Sequence, residues 1–115
     1  MHSGIDVLVT PVFPTCSMLD SLADDVGNML DYLHPWSILH YPAGSIPVTS
    51  VQQSEQSHTD HHNDAWTKFL NQNAANSQGM PISVQVISHF YEDEKALAVM
   101  KHIEEQVGFR MKVDA

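Results

Sequence analysis

Tyr41-Pro-Ala-Gly-Ser-Ile-Pro-Val-Thr-Ser-Val51 and, after a polar stretch, Gly79-Met-Pro-Ile-Ser-Val-Gln-Val-Ile87 are the segments on which the fold turns. From Gly44 to Val51 the residues alternate and are rich in β-branched side chains, which reads as a strand. Pro47 removes a ladder donor from it and so predicts an edge, a bend or a bulge. Ile82 to Ile87 reads as a second strand. Ile82, Val84 and Val86 share one face and Ser83 and Gln85 the other, so one side is expected to meet something more polar or less crowded. Ile5-Asp-Val-Leu-Val-Thr10, bounded by Gly4 and Pro11, is a third run, β-branched in the manner of a strand buried on both faces of a parallel sheet.

Between these strands the apolar period changes from two to between three and four. Met18, Leu19, Leu22, Val26, Met29, Leu30 and Leu33 make one stripe of a helix beginning near Ser17, with Asp20, Asp24, Asp25 and Asp31 turned mostly to solvent. Gly27 inside it costs about 1 kcal/mol relative to Ala and allows a break. Pro35 starts a short helix through Trp36, Ile38 and Leu39. Residues 52–63 are polar almost throughout and read as a loop. Asp64 to Ala75 carries Trp66, Phe69 and Leu70 on one helical face, with Asn76, Ser77 and Gly79 ending it. The last helix has Glu92, Asp93 and Glu94 at its positive end and a stripe of Ala96, Leu97, Met100, Ile103 and Val107, with Gly108 as its stop. Strands interleaved with helices predict an α/β layer arrangement.

Composition excludes several function classes. Five Lys and Arg against fourteen Asp and Glu give a formal charge of -9, which repels phosphate backbones and anionic lipid surfaces, so nucleic acid is not expected as a partner. No apolar stretch approaches the roughly 20 residues of a membrane span. The N-terminal residues lack the basic and apolar regions of a signal peptide. One cysteine, Cys16, cannot close an internal disulfide and points to a reducing, intracellular compartment. Eight histidines make the net charge sensitive to pH.

The residues with chemistry to offer are few. Ser45, Thr49 or Ser50 could act as a nucleophile only beside a base and oxyanion donors, and no Gly-x-Ser-x-Gly elbow occurs, so they read as strand residues. His58-Thr-Asp-His-His-Asn-Asp64 has imidazoles and carboxylates without a regular ligand spacing, and reads as a solvated loop rather than a metal site at His58, His61 and His62. Cys16 reads as a buried, inert thiol.

Four segments in order resemble the C-terminal end of the amidase signature family, and within it the fatty acid amide hydrolase branch. They are Asp6-Val-Leu-Val-Thr-Pro11, His40-Tyr-Pro-Ala-Gly-Ser-Ile-Pro-Val-Thr-Ser-Val51, Asp64-Ala-Trp66, and Gly79-Met-Pro-Ile-Ser-Val-Gln-Val86 with its following acidic helix start. The resemblance runs from Ile5 to Gly108 and implies an α/β unit: the C-terminal portion of a mixed-sheet fold, with about three strands and flanking helices, residues 1–115 forming a partial amidase domain. It implies hydrolysis of acyl amides by the intact enzyme through a Ser, cis-Ser, Lys triad, without a cofactor. That triad belongs to a Gly- and Ser-rich region upstream of anything matched here, so no catalytic residue is carried over and the chain alone is expected to be inactive. Tyr41, Gly44, Ile46, Val48 and Val51 are the expected substrate-lining residues of an acyl-binding wall. The expected partners are an acyl amide or lipid-like molecule, once an N-terminal half completes the site, and a protein surface covering the exposed sheet. The alternative is a catalytically dead, amidase-derived binding or structural subunit.

Overall fold

A computed structural model of the chain describes residues 4–16, 31–57 and 64–110. In chain order these form strand β1 (Val7–Pro11), helix α1 (His34–Ile38), strand β2 (Ala43–Ser50), a 3₁₀ turn (Gln53–Glu55), helix α2 (Ala65–Ala74), strand β3 (Pro81–Ser88) and helix α3 (Asp93–Val107). Three strands with flanking helices make the expected α/β unit. Most of the helix expected from Ser17 lies outside the described residues, as do His58, His61 and His62.

The sheet order is β1-β3-β2, and both pairings are antiparallel. The parallel character expected of the first strand is therefore corrected: Val7 pairs with Ser88 and Pro11 with Val84, and Val9 is 52% exposed. A β-branched run reports affinity for a pleated surface. Strand direction is set by whichever partner the chain brings alongside, here one 70 residues or more away in sequence.

Pro47 acts as its chemistry demands. Among the described residues β2 pairs with β3 alone, and its register slips between Pro47 and Thr49. Beyond the slip Val51 keeps the chain in place, donating its N–H to the Met80 carbonyl and accepting from the Gly79 N–H, both at 2.9 Å.

Helix α3 packs on β2 and β3. The close approach depends on Gly44, where a Cβ would stand 2.5 Å from the Met100 sulfur. Val86 lies directly opposite Gly44 in the register and is fully buried, a contribution of about 2 kcal/mol for a side chain of this size. The helix ends at Gly108, whose φ of +67° lets its N–H reach the Glu104 carbonyl at 2.9 Å. Near its start Lys95 lies 3.2 Å from Glu92 and 3.6 Å from Asp6, joining α3 to the residues that lead into β1.

The expected stripe of α3 is narrower than its sequence suggests. Ala96 is buried and Met100 and Ile103 are half-buried, but Leu97 is 62% exposed and Val107 is also exposed. The helix packs chiefly on β2 and β3, and Leu97, about 100° round the helix from Ala96, falls outside that strip. A second correction concerns α2, where the Asp64 carboxylate accepts the Thr67 N–H at 2.7 Å as an N-cap. Its buried residues are Thr67, Asn73 and Ala74, whereas Trp66 is exposed and stacks on Phe69 with ring centroids 6.3 Å apart. Asn73 can be buried because Thr15 and Cys16 accept hydrogen bonds from its amide. Among the described residues no helix is long and apolar enough to cross a membrane.

Candidate functional site

By alternation and register, the sheet face away from α3 carries Leu8, Thr10, Ala43, Ser45, Gln85 and Ile87. Thr10, Gln85 and Ser45 stand opposite one another on neighbouring strands, so a polar row crosses the sheet. Gln85 is only 3% exposed. Its amide donates to the Pro11 carbonyl at 3.1 Å and to the Tyr32 carbonyl at 2.7 Å, fastening the segment before α1 and the end of β1 to the middle strand. The more polar surround expected for one side of β3 thus consists of two backbone carbonyls.

Cavities open along this row. One of about 380 Å³ is bordered by Trp36, Tyr41, Gly44, Ser45 and Gln85. Another of about 400 Å³ is bordered by Phe13, Cys16, Ser45, Ser83 and Val84. A third of about 300 Å³ shares Phe13 and Cys16 with it and adds Val51, Ala74 and Ser77. These volumes lie within the range of small-molecule pockets. A fourth, of about 610 Å³, lies where the turn after α1 meets the turn before α3, beside Tyr41, Phe90 and Tyr91.

Cys16 is a buried free thiol beside both the second and third cavities. The Asn73 amide donates to its sulfur at 3.6 Å, and the Thr15 hydroxyl points to it at 3.9 Å. Neither group is a base. Ser45 fronts two cavities, and the described residues bordering them include no His, Lys, Asp or Glu that could take its proton. Among the described residues these cavities offer hydroxyl and amide groups but no base.

The five substrate-wall candidates do not form one surface. Tyr41 and Gly44 share the 380 Å³ cavity, Tyr41 through its half-buried side chain. Val51 is buried at the 300 Å³ cavity. Ile46 is buried on the same strand face as Gly44, the α3 side, and Val48 sits at the register slip; neither borders the four cavities above. Ile46 and Gly44 therefore fix the distance between helix and sheet, while Tyr41 and Val51 stand at opposite ends of the segment. Sequence reasoning missed Gln85 and Asn73 as the groups that organise this side. A glutamine between two valines of a central strand was a readable signal for the first; Asn73 has none, because its acceptors lie 57 and 58 residues earlier in the chain.

A family model described as Amidase matches residues 1–97. Fatty-acid amide hydrolase 1 of Sus scrofa is 27% identical over 104 residues, which cover 87% of this chain and 18% of that protein. Fatty acid amide hydrolase 1 of Caenorhabditis elegans is 27% identical over 107 residues, covering 90% of this chain and 19% of that protein. The chain thus spans less than one fifth of the length of these relatives.

Proposed function

The chain belongs to the amidase family, and from that premise we propose that it supplies scaffold and substrate wall to a fatty acid amide hydrolase-like serine amidase. The reading is carried by the match of 87% and 90% of the chain to two fatty acid amide hydrolases. It is supported by cavities whose polar groups near residues 41–45 are hydroxyls and the Gln85 amide. The intact enzyme hydrolyses an acyl amide to acid and amine, its Ser, cis-Ser and Lys coming from sequence outside these 115 residues. Tyr41 and Val51 meet the acyl group, and Gly44 and Ile46 support the strand from the α3 side. In this role Ser45 and Gln85 orient polar atoms of the substrate without exchanging protons with it.

The test is hydrolysis of a long-chain acyl amide by the purified chain, alone and co-expressed with a segment carrying the Lys and the Gly- and Ser-rich signature. The chain alone is expected to be inactive, and the complemented protein to turn over. Robust turnover by the chain alone overturns the proposal, and so does a folded complex that binds the amide without cleaving it, which is the outcome for a dead binding subunit. In the active complex Tyr41→Ala is expected to raise KM for a long acyl chain about fivefold with kcat within about twofold, the signature of lost uniform binding.

A further inference from the structure

The 610 Å³ cavity adjoins the 380 Å³ one at Ser37 and Tyr41 but has a different chemistry. Tyr41, Phe90 and Tyr91 border it, with Asp93 at its rim. The Tyr41 and Phe90 rings meet edge to face, centroids 5.1 Å apart at 69°, and Tyr91 lies 6.5 Å from Phe90 at 40°. His89 packs against both Tyr41 and Phe90, at 5.8 and 5.6 Å, so these rings make an aromatic corner beside the cavity, with the exposed Tyr91 ring next to it.

Two turns are held together to make this corner. The buried Ser88 donates its N–H to the Pro42 carbonyl at 3.0 Å and its hydroxyl to the Glu92 carbonyl at 2.8 Å, so one residue links the segment after α1 to the turn before α3. Among the described residues three non-glycine residues have φ near +60°, and two of them, His40 and Tyr91, border this cavity. An aromatic side chain is costly in that conformation, and packing does little to reward it, since Tyr91 is 94% exposed. The strain holds a ring at the mouth of a cavity where the fold itself does not need one.

We propose that Tyr41, Phe90 and Tyr91, with Asp93 beside them, form an aromatic cage for an organic ammonium ion, a quaternary or fully alkylated amine. Ring faces attract a cation through their quadrupoles, and alkylated ammonium, being weakly hydrated, enters such a cage with little desolvation cost. The Asp93 carboxylate adds direct attraction, and the chain's formal charge of -9 raises the local concentration of cations. The start of α3 carries about half a positive charge from the helix dipole. Glu92, Asp93 and Glu94 outweigh it even with Lys95 paired to Glu92. The site shares Tyr41 with the proposed acyl wall but needs none of the catalytic groups of the amidase, and Phe90, Tyr91 and Asp93 belong to it alone.

Choline and its uncharged isostere 3,3-dimethylbutanol distinguish cation recognition from apolar burial. Each is titrated into the chain while the proton shifts of the Tyr41, Phe90 and Tyr91 rings are followed; if the chain folds only with its catalytic complement, the complex is used. Saturable shifts are expected for choline, with binding about tenfold tighter than for 3,3-dimethylbutanol. Tyr91→Ala and Asp93→Asn should each weaken choline about threefold at an unchanged far-UV spectrum, and Ser88→Ala should weaken it by releasing the turn. Equal binding of the two compounds, no saturation by choline, or full affinity in Tyr91→Ala overturns the assignment. These readouts do not depend on hydrolysis, so this proposal and the amidase reading fail separately.

Discussion

The two faces of the sheet are joined to their neighbours by different forces. On the α3 side the contact is one of shape: Gly44 has no side chain, Met100 fills the space, and Val86 and Ile46 are buried beside it. On the other side the contact is one of hydrogen bonds, with Gln85 holding the Pro11 and Tyr32 carbonyls and Asn73 holding Thr15 and Cys16. Shape complementarity closes the area it covers, because close packing leaves no room for a ligand. Hydrogen bonds act at points and leave gaps between them. The 380 and 400 Å³ cavities lie on the side fastened at points.

The largest effect should come from breaking the packed side. Val86→Ala is expected to cost about 2 to 3 kcal/mol, lost transfer energy plus a cavity, seen as a lower urea midpoint at unchanged slope. Gln85→Leu attacks the other side and should cost about 1 to 2 kcal/mol, because the Pro11 and Tyr32 carbonyls lose their donor. Its signature differs: amide exchange should speed up locally through residues 31–41, which Val86→Ala leaves at the global rate. A neutral Gln85→Leu with unchanged exchange would break the distinction between the faces.

Gly44→Ala should cost about 1 kcal/mol, kept small because the Met100 thioether is flexible. Combined with Met100→Ala it should cost less than the sum of the two single changes, and strict additivity would mean that helix and strand do not meet there. The smallest effect concerns the exposed Lys95. Its pKa is raised above the ordinary 10.5 first by the hydrogen bond to Glu92, against the opposing effect of desolvation, with further help from the charges of Glu92 and Asp6. A raised folded-state pKa contributes stability that is fully present below 10.5 and is lost as pH climbs through the folded value. Lys95→Met should flatten that alkaline limb and leave the profile near neutrality the same shape, and added salt should narrow the difference.

Local chemistry made much of this legible. Pro47 announced a defect in an edge strand and Gly108 a stop, because each acts on backbone groups within a few residues of itself. The stripes of α2 and α3 were less faithful. Apolar period tells which side of a helix prefers to leave water, but the width of the buried strip belongs to the partner, and a two-strand contact leaves Leu97 outside. In residues 41–51 the alternation that marks a strand sends Gly44 and Ile46 to the α3 side and Ser45 to the other, so neighbours in sequence face different surroundings. Asn73 and Gln85 work through partners more than 50 residues distant, which no local pattern encodes.

The slip at Pro47 also gives the sheet a direction of growth. A strand arriving at β2 would find a ladder that loses step between Pro47 and Thr49 and a proline with no hydrogen to give. A strand arriving at β1 would meet in-step pairing over Val7–Thr10, with a proline only at the last position, Pro11. One misfitting residue thus works as a selvedge, finishing the β2 border of the sheet against a further strand.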